Sequence, residues 1–225
     1  MAIARVDTGA PLRGDLAAGI PLRIGIDFDN TIITYDEVFC ALAKSYGLLD
    51  TNFYGCKQAV RDAIRRLPDG ELAWQQLQGR VYGKGIRAAK IVAGVDTFLG
   101  RCRTEGCAIA IVSHKTEYGH FDPDRVNLRK AASDWMIVNG IIGVEQAIDS
   151  SNVFFEATRA EKLERIAALS CTHFIDDLEE VLTDPAFPPN VERILLSQNK
   201  PSQADRPYKL CSTWRDVEEC IFARK

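Results

Sequence analysis

Residues 23–31 read Arg23-Ile24-Gly25-Ile26-Asp27-Phe28-Asp29-Asn30-Thr31, and this stretch decides the fold. Its short apolar run is typical of a buried parallel strand, and it stops at two carboxylates one residue apart. If the chain stays extended, Asp27 and Asp29 point to the same face; if it turns after Asp27, Asp29 lies in the following loop. Paired carboxylates repel each other unless a metal ion or a shared proton holds them. Taken alone, the stretch fits an acidic turn as well as it fits a functional site.

The composition is that of an ordinary globular protein. The chain has 225 residues, enough for one large domain or a core with an insert, and a net charge of −3, which argues against a nucleic-acid or membrane surface. No apolar stretch reaches the ~18 residues that span a bilayer, and charged residues interrupt the N-terminus, so no signal peptide is expected. The seven cysteines have no zinc-ligand spacing. We therefore expect reduced thiols and a cytoplasmic protein.

Further apolar runs alternate with helical patterns along the chain. They predict buried strands at 22–27, 107–112, 152–155, 173–175 and 193–196. Strands that alternate with helices favour a parallel α/β sheet covered on both faces, a Rossmann-like three-layer core. Residues 1–20 have little periodicity and are expected to form a loosely held leader, and residues 141–148 indicate no clear element.

The segment after the first strand is helical. Apolar stripes with helical spacing occur near residues 38–43, 53–67 and 71–82, and no convincing strand lies between about 34 and 90. We therefore predict a core made of residues 1–33 and 91–225, with an all-helical insert at 34–90.

Polar side chains follow three of the predicted strands or lie near a helix start: Asp27 and Asp29, Ser113, Asp176 and Asp177, and Lys162. In a parallel sheet the strand ends share one edge, so these side chains are expected to converge. Clustered carboxylates make an oxygen site that suits Mg²⁺. A hydroxyl and a lysine beside that site suit a phosphate group.

This order of residues resembles the haloacid dehalogenase superfamily of phosphohydrolases over residues 22 to 200. The first motif of that superfamily, Asp-x-Asp-x-Thr, is matched at 27–31, and its second, a strand ending in Ser or Thr, at Ile111-Val112-Ser113. The third motif, a lysine near a helix start, is matched by Lys162, and the fourth, an acidic pair after an apolar strand, at 174–177. The insert at 34–90 is similar to the helical cap of the first type. The stretch 116–150 is longer than the usual link between the second and third motifs.

The resemblance implies a Mg²⁺-dependent phosphatase that acts on a small phosphate ester, such as a sugar phosphate or a nucleotide. Asp27 would attack phosphorus and form an aspartyl-phosphate, and Asp29 would act as the general acid and base. The implied metal ligands are Asp27, Asp29 through its backbone carbonyl, Asp176, and Asp177 through water. The implied substrate-binding residues are Ser113 and Lys162, on the phosphoryl oxygens, and Thr31, whose hydroxyl would steady the loop.

Several alternatives stay open from the residues. Asp177 would serve as a helix cap if it binds no metal, and Arg159 and Lys115 are the alternative cations if Lys162 is only a solvated surface lysine. A phosphotransferase or mutase of the same superfamily would share every motif, and a non-catalytic phosphate-binding module is the third candidate. A dehalogenase would not need the acid at Asp29. No nucleic-acid or membrane partner is expected, and the sequence does not indicate the oligomeric state.

Overall fold

The computed structural model describes residues 21–119, 121–122, 124–198 and 206–223, so the expected leader at 1–20 lies outside the described residues. The strands are β1 (Arg23–Ile26), β2 (Ile33–Thr34), β3 (Lys90–Ile91), β4 (Ala108–His114), β5 (Val153–Glu156), β6 (His173–Asp176), β7 (Glu192–Leu196) and β8 (Lys209–Cys211). The α-helices are α1 (Asp36–Ser45), α2 (Lys57–Ile64), α3 (Gly70–Tyr82), α4 (Val95–Thr104), α5 (Leu128–Val138), α6 (Arg159–Ala168), α7 (Glu179–Leu182) and α8 (Trp214–Phe222).

Six strands form one parallel sheet in the order β5-β4-β1-β6-β7-β8. β1 is central, and its last residue, Ile26, lies opposite Ile111 of β4 and Ile175 of β6. This register brings the ends of β1 and β6 to the same edge of the sheet, with the end of β4 beside them. The predicted convergence of the motif-bearing strand ends follows from it.

Helices cover both faces of the sheet, because alternate strand residues point in opposite directions. On β6 and β7, Ile175 and Ile194 belong to the larger core cluster with buried residues of α4, α5 and α8, whereas Phe174 and Leu195 pack in a second cluster with α6 and α7. The three-layer α/β architecture predicted from the sequence is therefore confirmed.

Residues 35–89 contain helices α1 to α3 and a 3₁₀ helix at Lys84–Ala88, and no strand. At the two ends of this segment, however, β2 pairs antiparallel with β3, with Thr34 opposite Lys90. The expectation that 34–90 holds no strand is therefore wrong at its first and last residues. Strands of two residues are too short to show an alternating pattern in the sequence.

Two further features were not indicated by the sequence. β8 adds a sixth strand of three residues at the edge of the sheet. Within 116–150, α5 forms as its apolar face predicts. Between α5 and a 3₁₀ helix at Ser150–Asn152, the described residues form only a bridge between Ile142 and Ile148, both of which are buried. None of the seven cysteines is in a disulfide. Among the described residues, no helix has both the length and the apolar character needed to cross a bilayer.

Gly25 lies in the middle of β1, where Phe174 of β6 leaves no room for a side chain. A Cβ at residue 25 would lie 2.5 Å from Phe174 Cδ2 and 3.0 Å from Cys171 Sγ. We expect Gly25→Ala to lower the free energy of unfolding by about 1–3 kcal/mol, the usual cost of overpacking a buried site. Urea denaturation measures this change.

Gly100→Ala in α4 is the matched control for this substitution. A Cβ at residue 100 meets no atom within 4 Å outside its own helix. Alanine is the better helix former, so this variant should gain about 0.5–1 kcal/mol. If both variants were as stable as the parent, the close packing of Phe174 over β1 would be wrong.

Candidate active site

The chain turns directly after Asp27. The amide of Ile32 donates to the Phe28 carbonyl at 3.0 Å, and Asn30 adopts a left-handed conformation with φ of 61°. Asparagine accepts this conformation more readily than most residues. The turn separates the two motif carboxylates, so the side chains of Asp27 and Asp29 reach different partners. Of the two alternatives left by the sequence, the turned chain is the one observed.

Lys162 lies buried between two of the motif carboxylates. Its Nζ donates to Asp27 Oδ1 at 2.7 Å and to Asp176 Oδ2 at 2.7 Å, and the residue is only 1% exposed. It sits in the first turns of α6, which begins at the predicted capping box formed by Thr158 and Glu161. Lys162 is therefore not a solvated surface lysine, and α6 delivers its ammonium group to the ends of β1 and β6.

Asp27, Asp176 and Asp177 form an acidic cluster. One carboxylate oxygen from each lies within 4.8 Å of the others. Asp177 does not cap α7: the N-cap residue is Leu178, whose amide donates to Asp176 Oδ1 at 2.9 Å. Asp177 instead accepts a hydrogen bond of 3.3 Å from Asn30 Nδ2. Helix capping thus does not account for the second acid of the pair.

Burial and neighbouring charges raise the pKa of two acids in this cluster, Asp27 and Asp177. Burial raises the pKa of Asp27 to about 7, with Lys162 opposing the rise and Asp176 adding to it. Burial, followed by the charges of Asp27 and Asp176, holds the pKa of Asp177 well above its usual range. Burial lowers the pKa of Lys162, but the two carboxylates that it contacts outweigh burial and raise it, so Lys162 stays charged. Closely spaced buried carboxylates are a donor set that a hard divalent cation such as Mg²⁺ fits.

Two buried hydroxyls have no hydrogen-bond partner among the described residues. Ser113 Oγ, on β4, is one of them; the residue is 1% exposed and lines the cleft above Asp27. Buried polar groups are nearly always hydrogen-bonded, so this hydroxyl is free to serve a ligand. Thr31 Oγ1 is the other. The role predicted for this hydroxyl in steadying the loop stays a prediction; the Thr31 carbonyl accepts from Trp214 Nε1 at 3.0 Å.

Asp29 has its own pair of donors. Lys115 Nζ lies 3.0 Å from Oδ1 and 2.8 Å from Oδ2 of Asp29, and the Tyr35 hydroxyl donates to Oδ1 at 2.6 Å. Burial and the neighbouring Asp29 raise the pKa of Tyr35 well above its usual value, so its hydroxyl keeps its proton. Lys115, considered from the sequence as an alternative phosphate cation, therefore pairs with the second motif aspartate instead. No motif in the sequence marks Tyr35, which stands between Thr34 and Asp36.

A cleft of about 570 Å³ opens over this edge of the sheet. Helices α2 and α3 contribute Lys57, Gln78 and Tyr82 to its lining. Arg159, the other alternative cation, also lines the cleft but is paired with Glu180 at 2.7 Å. The helical segment thus faces the motif residues. Lys57 and Gln78 were missed because no motif marks them, and Tyr82, which the sequence suggests is part of the cap core, lines the cleft as well.

Comparison with known proteins identifies solved structures that have the same fold. No protein-family model matches the chain, and no curated protein matches it in sequence. Solved structures do match: a predicted phosphatase from Clostridium acetobutylicum has a TM-score of 0.60 and 12% identity, over 92% of this chain and 100% of its own. Protein tyrosine kinase A from Mycobacterium tuberculosis has a TM-score of 0.59 and 14% identity, over 90% of this chain and 98% of its own.

A haloacid dehalogenase-like hydrolase from Streptococcus pneumoniae also matches, with a TM-score of 0.57 and 12% identity over 91% of this chain and 99% of its own. Dehalogenases are among the matched structures as well. Likeness at such low identity establishes the fold and leaves the activity open. The chain has the haloacid dehalogenase-like fold, and the resemblance predicted from its motifs is confirmed at that level.

Proposed function

We propose that the protein is a Mg²⁺-dependent phosphatase that hydrolyses a small phosphate ester through an aspartyl-phosphate on Asp27. The observation that carries this proposal is the setting of Asp27. Its carboxylate is buried at the end of the central strand, bonded to Lys162 and within 4.8 Å of the acids at 176 and 177. Phosphoryl transfer depends on a positioned nucleophile with positive charge around the transferred group, and this setting supplies both.

The phosphoryl group would be received between Asp27, Ser113 and Lys162. Lys162 holds Oδ1 of Asp27, which leaves Oδ2 as the attacking atom. The unpartnered Ser113 hydroxyl and the Lys162 ammonium group bind phosphoryl oxygens, and the Ser113 hydroxyl gains the partner that it lacks. Positioning and charge neutralisation do most of the catalytic work in such a transfer.

The metal site would be formed by the carboxylates of Asp27, Asp176 and Asp177, with the Asp29 backbone carbonyl as the further ligand that the resemblance implies. When bound, Mg²⁺ neutralises charge on the phosphoryl oxygens and on the ligating acids. A cation among these acids also favours the ionised Asp27, whose pKa burial otherwise raises to about 7. The nucleophile is then in its reactive form near neutral pH.

Asp29 would move the protons. In its protonated form it donates a proton to the departing alcohol oxygen, and the resulting carboxylate then takes a proton from the water that hydrolyses the aspartyl-phosphate, which restores the protonated acid. Lys115 and Tyr35 hold its carboxylate in place during this exchange. The helical insert would act as a cap that limits water and selects the substrate, since its side chains line the same cleft.

Asp29→Asn should lower kcat by about 10²- to 10⁴-fold, the usual contribution of one general acid–base group. Asparagine keeps the shape of the side chain and can still accept from Tyr35, but it cannot give or take the proton. Steady-state kinetics on an aryl phosphate and on an alkyl phosphate measure the effect. The loss should be larger on the alkyl ester, whose leaving group needs the proton more. An equal, small loss on both esters would remove Asp29 from the acid–base role.

A screen of phosphorylated metabolites for released phosphate, run with Mg²⁺ and with a chelator, tests the proposed function. We expect release that requires Mg²⁺ from one or more small esters. Transfer of phosphate to a second hydroxyl of a bisphosphorylated sugar, without release, would favour the mutase alternative. No turnover together with no Mg²⁺ binding by calorimetry would favour a non-catalytic module. A dehalogenase is the weaker candidate, because Asp29 is present and held by two donors.

A further inference from the structure

Lys57 differs from the other basic side chains that line the active-site cleft. Lys162 is paired with Asp27 and Asp176, and Arg159 is paired with Glu180. Lys57 lines the same cleft. Among the residues that the structure describes, no carboxylate lies at ion-pair distance from its ammonium group. An unpaired cation in a cleft is what an anionic group of a ligand would meet.

The surroundings of Lys57 hold its ammonium group in place over the site. Its Nζ lies 5.6 Å from the ring centre of Tyr82 and 5.7 Å from that of Phe39, two rings that pack edge to face against each other. Its backbone amide donates to Asp36 Oδ1 at 2.8 Å, which ties the start of α2 to the start of α1. The position of Lys57 is therefore set by the fold of the insert.

The local electrostatics keep Lys57 charged. Burial lowers its pKa, but Tyr82, Asp29 and Asp177 together outweigh burial and raise it. As the first residue of α2, Lys57 also stands where the helix dipole disfavours a cation, and no acidic residue lies in that first turn. A lysine at this position does not stabilise the helix. Its position is therefore better explained by an interaction with a ligand in the cleft.

We propose that Lys57 binds a carboxylate on the leaving part of the substrate, with Gln78 and Tyr82 as polar neighbours, so that the natural ligand is a phosphorylated hydroxy acid. This inference rests on the proposed phosphatase function. The phosphoryl oxygens already have Lys162, Ser113 and the metal, whereas Lys57 reaches the same cleft from the first residue of α2 in the insert. One ammonium group that also faces the carboxylates of Asp29 and Asp177 matches a singly charged carboxylate better than a doubly charged second phosphate, which those acids would repel more strongly.

The test uses phosphonates, in which a methylene replaces the bridging oxygen, so that binding is measured without turnover. A series of ω-phosphono carboxylic acids of increasing chain length is compared with the corresponding neutral primary amides by calorimetry in the presence of Mg²⁺. At the best length we expect the acid to bind about 10- to 100-fold tighter than the amide, the range of a hydrogen bond between charged partners. In Lys57→Met this ratio should fall to about one, with the affinity for the amide unchanged.

Two variants complete the design. Lys57→Arg should keep most of the preference for the acid. Lys44→Met removes a lysine of the same insert that lies 4.0 Å from the Tyr54 ring and does not line the cleft, so it should keep the full ratio.

Four results would overturn the proposal. A ratio near one at every chain length, or no binding of either series, excludes the carboxylate site. An equal loss of affinity for the acid and the amide in Lys57→Met would mean that Lys57 binds the phosphoryl group. Tighter binding of a bisphosphonate than of the acid of equal length would mean that Lys57 binds a second phosphate group and not a carboxylate. If instead the acids bind as expected but the matching phosphate esters release no phosphate, the proposed function fails and the ligand assignment stands.

Discussion

Asp27→Asn is expected to release no phosphate above background, a loss on the order of 10⁶-fold, the scale found when a catalytic nucleophile is removed. The amide cannot attack phosphorus, whereas its carbonyl oxygen can still accept the hydrogen bond that Lys162 gives to Oδ1 of Asp27. The site should therefore keep its arrangement while losing its reactive atom. Phosphate release from an aryl phosphate with Mg²⁺ measures the effect.

The control for this experiment is Asp50→Asn. Asp50 is an exposed acid whose Oδ1 accepts from the Asn52 amide at 2.8 Å, so the same chemical change is made far from the cleft. It should leave the rate unchanged, and thermal unfolding should show both variants folded. Near-normal turnover by Asp27→Asn in the presence of Mg²⁺ would mean that another residue is the nucleophile.

Lys162→Met is expected to have the largest effect on stability. The substitution leaves the Asp27 and Asp176 carboxylates buried and without the ammonium group that both now contact at 2.7 Å. Breaking a buried ion pair by removing one partner costs about 3–5 kcal/mol of unfolding free energy. Urea denaturation in metal-free buffer at neutral pH measures this loss.

Two conditions should restore part of that stability. Mg²⁺ should do so because it supplies positive charge to the same carboxylates. Acidification should do so because the pKa of Asp27, already raised to about 7, rises further when Lys162 is lost, and the protonated acid carries no unpaired charge. Lys130→Met, which removes an exposed lysine paired with Asp134 at 2.7 Å, is the control and should change stability by less than about 1 kcal/mol. Equal losses in the two lysine variants would contradict the buried bridge.

The parts of the fold that the sequence predicted are those with strong local patterns. The apolar runs that became β1, β4 and β6 are continuous because both faces of the sheet are covered, and the capping box at 158–161 marks the start of α6. β8 and the β2–β3 ribbon escaped prediction because strands of two or three residues carry too little pattern. The division into a core and a cap at 34–90 remains a prediction.

In the site, too, the residues that could be predicted are those with a clear pattern in the sequence. Asp27, Ser113, Lys162 and Asp176 were predictable because each stands at the end of a buried strand or at a helix start, where the topology fixes its place. The ion pair of Lys115 with Asp29 was not predictable, because it depends on how a loop side chain folds back over the turn. Lys57 was not predictable either, because the way the insert packs on the core leaves no periodic pattern in the sequence.

The most direct test of the account is to trap the aspartyl-phosphate. Rapid acid quenching of the Asp29→Asn variant during turnover of an aryl phosphate, followed by peptide mass spectrometry, shows where the phosphoryl group is attached. The aryl leaving group departs without help from an acid, whereas hydrolysis lacks the base that activates water, so this variant should accumulate the intermediate. We expect one phosphoryl group on the peptide that contains Asp27, and none when Asp27 is also changed to Asn. A phosphoryl group on another residue, or turnover with no phosphorylated peptide at any quench time, would contradict Asp27 as the nucleophile.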